Sequence, residues 1–341
     1  AGDSGREYLR IGIRREAEAM TERKDEAVTE SGAGLPRVGS LMSNGKAKKN
    51  DWHEFAAYCK EEGLLEVLFL KDDMSIEELH ALRLDAIIGK FTDLLVKEDE
   101  HSQQVLAKYE RYMEESGVAA VDSMNAQRSL ISREALSHTL NGIDWGDLQV
   151  RNPRFAVIRE RSEFGHGLRY PVVVKSIQAC GSADSHEMGI INSAAGLELP
   201  FVQLPVLVQE FVNHNGTIFK VFVIGHEVSV VRRHSIANIP SDSDKPVLFN
   251  SQHMQDIMDL SSHASETPPS PEVLQKLADK ISDHSGLSYY GFDLIRDCET
   301  GDLAVIDVNF FPGYKGVERV FEKTAKLFLD RIAAAKAAKA K

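Results

Sequence analysis

The segment GFDLIRDCETGDLAVIDVNFFPGY, residues 291–314, constrains the fold more than any other part of the chain. Two apolar runs flank the tripeptide Glu299-Thr300-Gly301, which predicts two antiparallel strands joined by a turn with its glycine in the left-handed conformation. Because successive strand residues face opposite sides, Asp307 and Asn309 share one face, and this turn places Asp293 opposite Asp307. The sequence therefore predicts that two carboxylates and an amide oxygen converge on one point.

Oxygen ligands of this kind suit a hard cation. Magnesium bound by one or two carboxylates together with phosphate oxygens is the usual arrangement in phosphoryl-transfer sites. The alternative is an ordinary solvated strand face, on which aspartates are common. The same strand runs into the turn Phe310–Gly316, which is dense in glycine, proline and aromatic residues, and loops of this kind often carry function. We therefore expect a metal site formed by Asp293, Asp307 and Asn309.

Two lysines interrupt strongly apolar strands. Lys175 follows three valines, and Lys220 divides the run Ile218–Phe222. A lysine is too costly to bury unpaired, so each one either extends to the surface or meets an anion. Taken singly, extension to the surface is favoured, but two such lysines near a carboxylate cluster favour contact with nucleotide phosphates.

The N-terminal third alternates strands and helices, which predicts a small α/β domain with a parallel sheet. Asp51 and Glu54 resemble a capping box and predict a helix through Glu62. A polar loop is expected over residues 43–50, and it carries Lys46 among other lysines. Strands are expected over 38–42, 65–70 and 86–90.

Further along, a polar loop of small residues, 179–185, is expected to lead into a helix beginning at His186, where backbone N–H groups can cradle a phosphate. His214 and His234 lie in polar surroundings and are expected to be merely solvated. Strands are expected over 217–224 and 227–233, a helix over 271–285, and a final helix from Val317 to about Ala335 with a frayed end.

Composition excludes several classes of function. The chain has 341 residues, and 52 acidic against 40 basic side chains give a formal net charge of −12, which argues against nucleic acid as a partner. Cys59, Cys180 and Cys298 lack the spacing of a zinc site and suit a reducing compartment. No apolar run approaches the roughly 20 residues of a membrane span. We therefore expect a cytoplasmic protein without a membrane partner.

Several separate segments of the sequence, taken in chain order, resemble the inositol 1,3,4-trisphosphate 5/6-kinases. These proteins are also called inositol-tetrakisphosphate 1-kinases, and they are ATP-grasp proteins. The VQEFVNHNG–FK and FPGYKGV motifs distinguish this family from other ATP-grasp enzymes. The resemblance extends over roughly residues 36–330. The matching segments are 37–49, 84–95, the arginine within 125–133, 175–188, 206–225, 249–251 and 291–317.

The resemblance implies an α/β fold with α+β lobes: an ATP-grasp fold preceded by a Rossmann-like α/β domain. In this sequence the implied divisions are a flexible extension over 1–35, an inositol-phosphate-binding domain over 36–128, a central ATP-grasp lobe over 129–213, a C-terminal lobe with the metal site over 214–335, and a basic tail over 336–341.

The resemblance also implies which positions act. Magnesium, as two ions, is assigned to Asp293, Asp307 and Asn309. The catalytic assignments are Lys175 and Lys220, with His186 orienting the substrate. The ATP-binding assignments are Arg128, Lys175, Gln209, Glu210, Val212, Lys220, Arg233, Ser235 and Ser251. The inositol-phosphate assignments are Lys46, Lys90, His186, Lys220, Asn309 and Gly313.

The implied activity is ATP- and magnesium-dependent phosphorylation of a ring hydroxyl of a soluble inositol phosphate by a monomeric enzyme. Two alternatives stay open: an ATP-grasp carboxylate–amine ligase and a non-catalytic inositol-phosphate sensor. Cys180 and Gly89 occupy positions at which members of the family have histidine. Because these two residues differ, the resemblance does not determine which ring hydroxyl is phosphorylated.

Overall fold

Three β-sheets organise the part of the chain that the computed structural model describes. The described residues are 34–163, 167–178, 187–199, 202–240, 245–250 and 266–340. Residues 37–341 group into one unit. Most of the expected N-terminal extension, residues 1–33, lies outside the described residues.

The first sheet is parallel with strand order β2-β1-β3-β4, which confirms the predicted α/β arrangement. Each strand is followed by helix that covers the sheet, as a parallel sheet requires. The elements are β1 Arg37–Leu41, α1 Asn44–Lys49, α2 Trp52–Glu61, β2 Glu66–Phe69, α3 Ile76–Ala81, β3 Ala86–Gly89, α4 Thr92–Leu95, α5 Glu100–Ser116, β4 Ala119–Val121, α6 Met124–Arg128 and α7 Arg133–Asn141.

Local details of this region differ from the prediction. The expected loop 43–50 contains helix α1, which is capped by the Ser43 side chain accepting from the Lys46 backbone N–H. Asp51 is in the left-handed conformation (φ 50°) and makes no side-chain cap, so the capping box expected there is wrong. The chain needs Asp51 to reverse between α1 and α2, and that backbone conformation prevents the usual capping geometry.

The second sheet is antiparallel with order β11-β7-β6-β8-β5. The helix expected from His186 is wrong, because Glu187–Ile191 forms strand β7 between β6 and β11. Central Gly189 disfavours a helix, and ladder pairing with β6 buries the apolar end of the segment. The strands are β5 Phe155–Ile158, β6 Val172–Ser176, β7 Glu187–Ile191, β8 Val206–Glu210 and β11 Val247–Asn250.

The third sheet has order β10-β9-β12-β13 and carries the segment with the paired carboxylates. Helix α8 has both ends as predicted, with Ser270 capping its start, Pro271 in its first turn and left-handed Gly286 at its end. The elements are β9 Thr217–Ile224, β10 Glu227–His234, α8 Pro271–Ser285, β12 Tyr289–Arg296, β13 Leu303–Phe310 and α9 Val320–Lys339. Strand β11 follows β10 in sequence but pairs within the second sheet, so the chain returns to that sheet after building part of the third. The domain boundaries expected from the sequence stay a prediction.

The final helix packs against the first sheet and extends beyond the predicted end. Helix α9 continues to Lys339, so fraying from about Ala335 is wrong. Its last turns are held from outside the helix: Lys336 Nζ lies 3.3 Å from Asp85 Oδ1, and Lys339 Nζ donates to the Ser116 carbonyl at 3.0 Å. No helix within the described residues is long and apolar enough to span a membrane.

An aromatic cluster joins helix α2 to the segment after β13 and to helix α9. The Trp52 ring lies 4.7 Å from that of Phe55, 5.1 Å from Phe311 and 6.4 Å from Phe328, measured between centroids. All four rings are buried. Aromatic burial of this size fixes helix α2 against the residues that follow β13.

Asp122 adds a polar link between the first and third sheets. Its carboxylate is buried and accepts from the Ser288 N–H at 2.7 Å, the Ser288 hydroxyl at 2.5 Å and the Tyr289 N–H at 3.0 Å. Burial raises the pKa of Asp122, while these three donors oppose that rise. The carboxylate therefore satisfies donors at the start of β12 that no water reaches.

We expect Asp122→Ala to destabilise the fold by about 3 kcal/mol, because it leaves buried backbone N–H groups unpaired. Urea unfolding followed by circular dichroism measures this change. The matched control is Asp147→Ala, since Asp147 is exposed and its ion pair with Lys276 lies at the surface, so little change is expected there. Equal unfolding curves for the two variants would show that the Asp122 link is dispensable.

Candidate active site

The predicted pairing of the two carboxylates is confirmed, although the turn that produces it differs. Strands β12 and β13 are antiparallel with Asp293 opposite Asp307. The strands end at Arg296 and Leu303, so the connection is longer than the expected three-residue turn. Gly301 is left-handed (φ 80°) as expected. A register shift between Asp293 and Leu294 brings the two carboxylates opposite each other.

The carboxylates are held by neighbouring polar side chains. Lys220 Nζ lies 2.9 Å from both Asp293 oxygens, and the Asn309 amide donates to Asp307 Oδ2 at 2.8 Å. Burial raises the pKa of Asp293, the nearby Asp307 charge raises it further, and Lys220 opposes both. Lys220 therefore only partly offsets the two adjacent negative charges.

This donor set fits magnesium. The Asn309 amide nitrogen faces Asp307, which leaves its carbonyl oxygen as an acceptor beside the two carboxylates. A divalent cation would relieve the repulsion between Asp293 and Asp307 and would take the oxygen ligands it prefers. Among the described residues, no cluster of three or more His, Cys, Asp or Glu side chains could hold a metal. A metal at this point would therefore need the Asn309 oxygen and ligand phosphates.

Lys175 lies close to the same carboxylates from the second sheet. Its ammonium donates to Gln209 Oε1 at 2.9 Å across the β6–β8 pair. Burial lowers the pKa of Lys175 to about 8, and the Asp307 charge opposes the fall. Arg133 donates to the carbonyls of Ser176 and Gln178, and so braces the end of the strand that carries Lys175.

The segment after β8 is organised by His214, and the expectation that this residue is merely solvated is wrong. His214 is 4% exposed, and burial lowers its pKa. Its Nδ1 lies 2.7 Å from the Val212 carbonyl, so this nitrogen donates, and the neutral ring then accepts from the Ser235 hydroxyl through Nε2 at 2.8 Å. Two residues assigned to ATP, Val212 and Ser235, are thus held together by one buried imidazole.

The remaining ATP-assigned residues lie on several elements. Gln209 is buried on β8, and the neighbouring Glu210 accepts from the Arg169 N–H at 3.2 Å. Arg128 is exposed at the end of α6. Arg233 on β10 donates to the Lys315 carbonyl at 2.9 Å, which ties it to the segment after β13. Ser251 lies outside the described residues.

Lys46 and Lys90, assigned to the inositol phosphate, converge on the aromatic residues that follow Asn309. Lys46 Nζ lies 5.3 Å from the Phe311 ring centroid, and Lys90 Nζ lies 5.7 Å from that of Phe310. Burial, with the Lys90 charge second, lowers the pKa of Lys46 to about 8. The two lysines therefore form a region of positive charge that would attract a polyanion.

Buried Gln127, which no sequence pattern indicates, positions two of these basic residues. Its amide donates to the carbonyls of Gly89 and Asp122, and its oxygen accepts from the Thr92 N–H. Gln127 thus connects the strand end before Lys90 to the helix that ends at Arg128. Sequence alone offers no signal for it, because a single glutamine in a short helix is ordinary.

Two glycines, the unassigned Gly89 and the inositol-phosphate assignment Gly313, lie close to neighbouring side chains. Gly89 closes β3, and a Cβ there would lie 2.3 Å from the Phe91 ring, so no side chain fits in this arrangement. Gly313 lies beside Asn50, whose Oδ1 would be 3.6 Å from an added Cβ. His186 and the expected phosphate loop 179–185 lie outside the described residues.

Comparison with known proteins identifies the family. Residues 148–330 match the family described as the inositol 1,3,4-trisphosphate 5/6-kinase ATP-grasp domain. The inositol-tetrakisphosphate 1-kinase of Danio rerio is 32% identical over 314 residues, covering 84% of this chain and 76% of that protein. The chain belongs to the inositol 1,3,4-trisphosphate 5/6-kinase family. The resemblance seen in the sequence is thereby confirmed.

Other comparisons agree on family and fold. The Xenopus laevis inositol-tetrakisphosphate 1-kinase is 31% identical over 307 residues, again covering 84% of this chain and 76% of that protein. The D-alanine–D-alanine ligase of Bacillus anthracis, solved with ATP, has a TM-score of 0.54 at 14% identity and covers 90% of this chain and 100% of that one. At that identity the likeness shows the ATP-grasp fold alone.

The lowered pKa of Lys175 predicts a pH dependence of nucleotide binding. The folded pKa of about 8 lies below the ordinary lysine value of 10.5, so Lys175 loses its charge as pH rises through 8 in the free protein. We expect the affinity for a non-hydrolysable ATP analogue to fall by up to about tenfold per pH unit above 8. Calorimetric titration between pH 7 and 9.5 measures it.

The matched variant for this test is Lys175→Arg, because arginine stays charged throughout the range. The decline should flatten in this variant. An unchanged pH profile would show that another group controls it.

Proposed function

We propose that this protein transfers the γ-phosphate of ATP, in the presence of magnesium, to a ring hydroxyl of an inositol polyphosphate. The proposal rests on one observation: a set of possible metal ligands with two lysines, and a second pair of lysines, both lie beside β13. The carboxylate and amide oxygens of Asp293, Asp307 and Asn309 lie next to Lys175 and Lys220. Lys46 and Lys90 contact the aromatic pair directly after Asn309. Family membership supports the same function.

The proposed site residues have different roles, which follow from their charge and position. Asp293, Asp307 and Asn309 would hold magnesium, which would supply positive charge to neutralise the phosphates. Lys175 and Lys220 contribute further positive charge where the transferred phosphoryl group gains negative charge. Lys46 and Lys90 bind the phosphates of the acceptor and orient its hydroxyl. His186 is proposed to orient that substrate rather than to act as an obligatory base.

This division needs no strong general base, because phosphoryl transfer depends mainly on alignment and electrostatic stabilisation. In the free protein, Lys220 pairs with Asp293 at 2.9 Å. Nucleotide and metal would compete for the two partners of this pair, because Asp293 would help to hold the cation and Lys220 would help to hold phosphate. The ion pair keeps both groups oriented until the substrates arrive.

Carboxylate–amine ligation is the second candidate, since the ATP-grasp fold is shared with the D-alanine–D-alanine ligase of Bacillus anthracis. The paired lysines argue for the kinase, because an amino-acid acceptor has no need of two cations held against Phe310 and Phe311. A monomeric state, two magnesium ions and a cytoplasmic location belong to the same proposal.

We expect Asp307→Ala to reduce turnover on the order of a thousandfold without unfolding the protein, because it removes a metal-ligand carboxylate and relieves repulsion with Asp293. ADP release with an inositol tetrakisphosphate acceptor measures the loss. The matched control is Asp302→Ala in the connection of the same hairpin, which should retain activity. Near-normal turnover of the Asp307 variant would refute the metal assignment.

Product analysis tests the reaction class. Incubation with ATP, magnesium and a panel of inositol tris- to hexakisphosphates should give ADP in equal amount to a phosphorylated inositol, resolved by isomer. Formation of an amide with amino-acid acceptors, and no phosphorylated inositol, would favour ligation. ATP consumption at background level with every acceptor would indicate a non-catalytic binding protein.

A further inference from the structure

A carboxylate, that of Asp93, lies beside the two lysines assigned to the inositol phosphate. Strands β1 and β3 are parallel neighbours, and Lys46 follows β1 while Lys90 follows β3. Both lysines therefore stand at the carboxyl edge of the first sheet, where ligands of α/β domains bind. Asp93 is in the first turn of α4, and its Oδ1 lies 3.9 Å from Lys90 Nζ. Its charge also acts on Lys46, because it opposes the fall in the Lys46 pKa that burial and the Lys90 charge produce.

The hydroxyl of Thr92 fixes the position of this carboxylate. Thr92 is 2% exposed, and its backbone N–H donates to the buried Gln127 side chain at 3.3 Å. Its Oγ1 accepts from Lys90 Nζ at 2.6 Å and donates to Asp93 Oδ1 at 3.3 Å. A hydroxyl has one proton to donate, and the ammonium can only donate, so the direction of both hydrogen bonds is determined. Thr92 thus holds a positive and a negative group side by side.

Asp93 is the more accessible member of this pair. Its side chain is 49% exposed, against 14% for that of Lys90. An acceptor that reaches the Lys90 ammonium therefore also meets the carboxylate. An ion pair this exposed contributes little to the stability of a fold. Stability alone thus gives no reason for a carboxylate at the place where a polyanion is expected to bind.

The chemistry of the carboxylate distinguishes between the substituents of an inositol ring. An ionised carboxylate only accepts hydrogen bonds, so it favours a ring hydroxyl, which donates, and repels a phosphate. An inositol trisphosphate retains free ring hydroxyls, whereas inositol hexakisphosphate has none. We propose that Asp93 determines acceptor specificity, by accepting a hydrogen bond from a free ring hydroxyl and by disfavouring a phosphate at the same place. This inference rests on the proposed function.

The pair of opposite charges then recognises two substituents of one ring. Lys90 attracts a phosphate, and Asp93, 3.9 Å away, selects a hydroxyl beside it. Specificity of this kind combines an attractive contact with a repulsive one that acts against the wrong ligand. Thr92 is a positioning residue in this arrangement, because it acts on the acceptor only through Lys90 and Asp93.

Binding without ATP or magnesium tests the proposal separately from catalysis. Calorimetric titration measures the affinities of inositol 1,3,4-trisphosphate and inositol hexakisphosphate for the unaltered chain and for Asp93→Asn. Asparagine keeps the shape of the side chain and an acceptor oxygen, but it removes the charge. We expect the ratio of the two affinities to shift towards the hexakisphosphate by about tenfold.

The matched control is Glu115→Gln, which makes the same change of charge elsewhere in the same domain. Glu115 lies in the last turn of α5, before β4 begins, and therefore at the opposite edge of the parallel sheet from Asp93. It pairs there with Arg111 and His80. This variant should leave the affinity ratio unchanged.

Two variants of Thr92 test the positioning role. Thr92→Val keeps the shape of the side chain but removes the hydroxyl, so it should reduce the discrimination between the two inositol phosphates. Thr92→Ser keeps a hydroxyl and should restore the discrimination. Equal selectivity in the valine and serine variants would show that Thr92 does not position Asp93.

The outcomes separate this inference from the proposed function. An unchanged affinity ratio in Asp93→Asn would overturn the role of Asp93 and leave the proposed function standing. An equal rise in affinity for both ligands would also overturn it, because that result indicates a general effect of charge and not recognition of a hydroxyl. Failure of the unaltered chain to bind either inositol phosphate would contradict the proposed function, and the role of Asp93 with it.

Discussion

Two carboxylates of like charge lie opposite each other on neighbouring strands, and the surroundings of the site offset their repulsion. Asp293 and Asp307 are brought together by the register of β12 and β13, in a place where burial disfavours ionisation of Asp293. Lys220 pairs with Asp293, and the Asn309 amide donates to Asp307. Although Lys220 and Lys175 both oppose it, the pKa of Asp293 is still raised, so a cation bound here would relieve the remaining repulsion between the two carboxylates.

The groups that serve this pair come from distant parts of the chain, and buried polar contacts hold them in place. Gln127 joins the strand end before Lys90 to the helix ending at Arg128, and His214 joins Val212 to Ser235. Asp122 joins the first sheet to the start of β12. Each of these side chains links two segments through buried hydrogen bonds, so they restrict how these segments can move relative to one another.

The parts of the fold that could be predicted depend on local pattern. The parallel N-terminal sheet, helix α8 and the opposition of Asp293 and Asp307 all follow from alternation, helical spacing and turn residues. The register came out as predicted although a longer connection and a bulge produce it, because an added residue in one strand compensates for the different turn. Strand β7 was mistaken for a helix because its state is set by pairing with β6 and β11, which are remote in sequence.

The candidate site was predictable where chemistry is carried by residue type, and not where it depends on burial. Carboxylates and strand lysines stand out in a sequence, whereas His214 looked like a solvated loop residue until its burial and two hydrogen bonds were known. The net charge of −12 likewise says nothing about which charged side chains are buried. It argues against extended polyanions, yet Lys46 and Lys175 lie close enough to other groups, and deep enough, for burial to lower the pKa of each to about 8. Cations that are costly to keep charged gain most from a bound phosphate, so an acidic protein can still bind small polyanions through a few partly buried lysines.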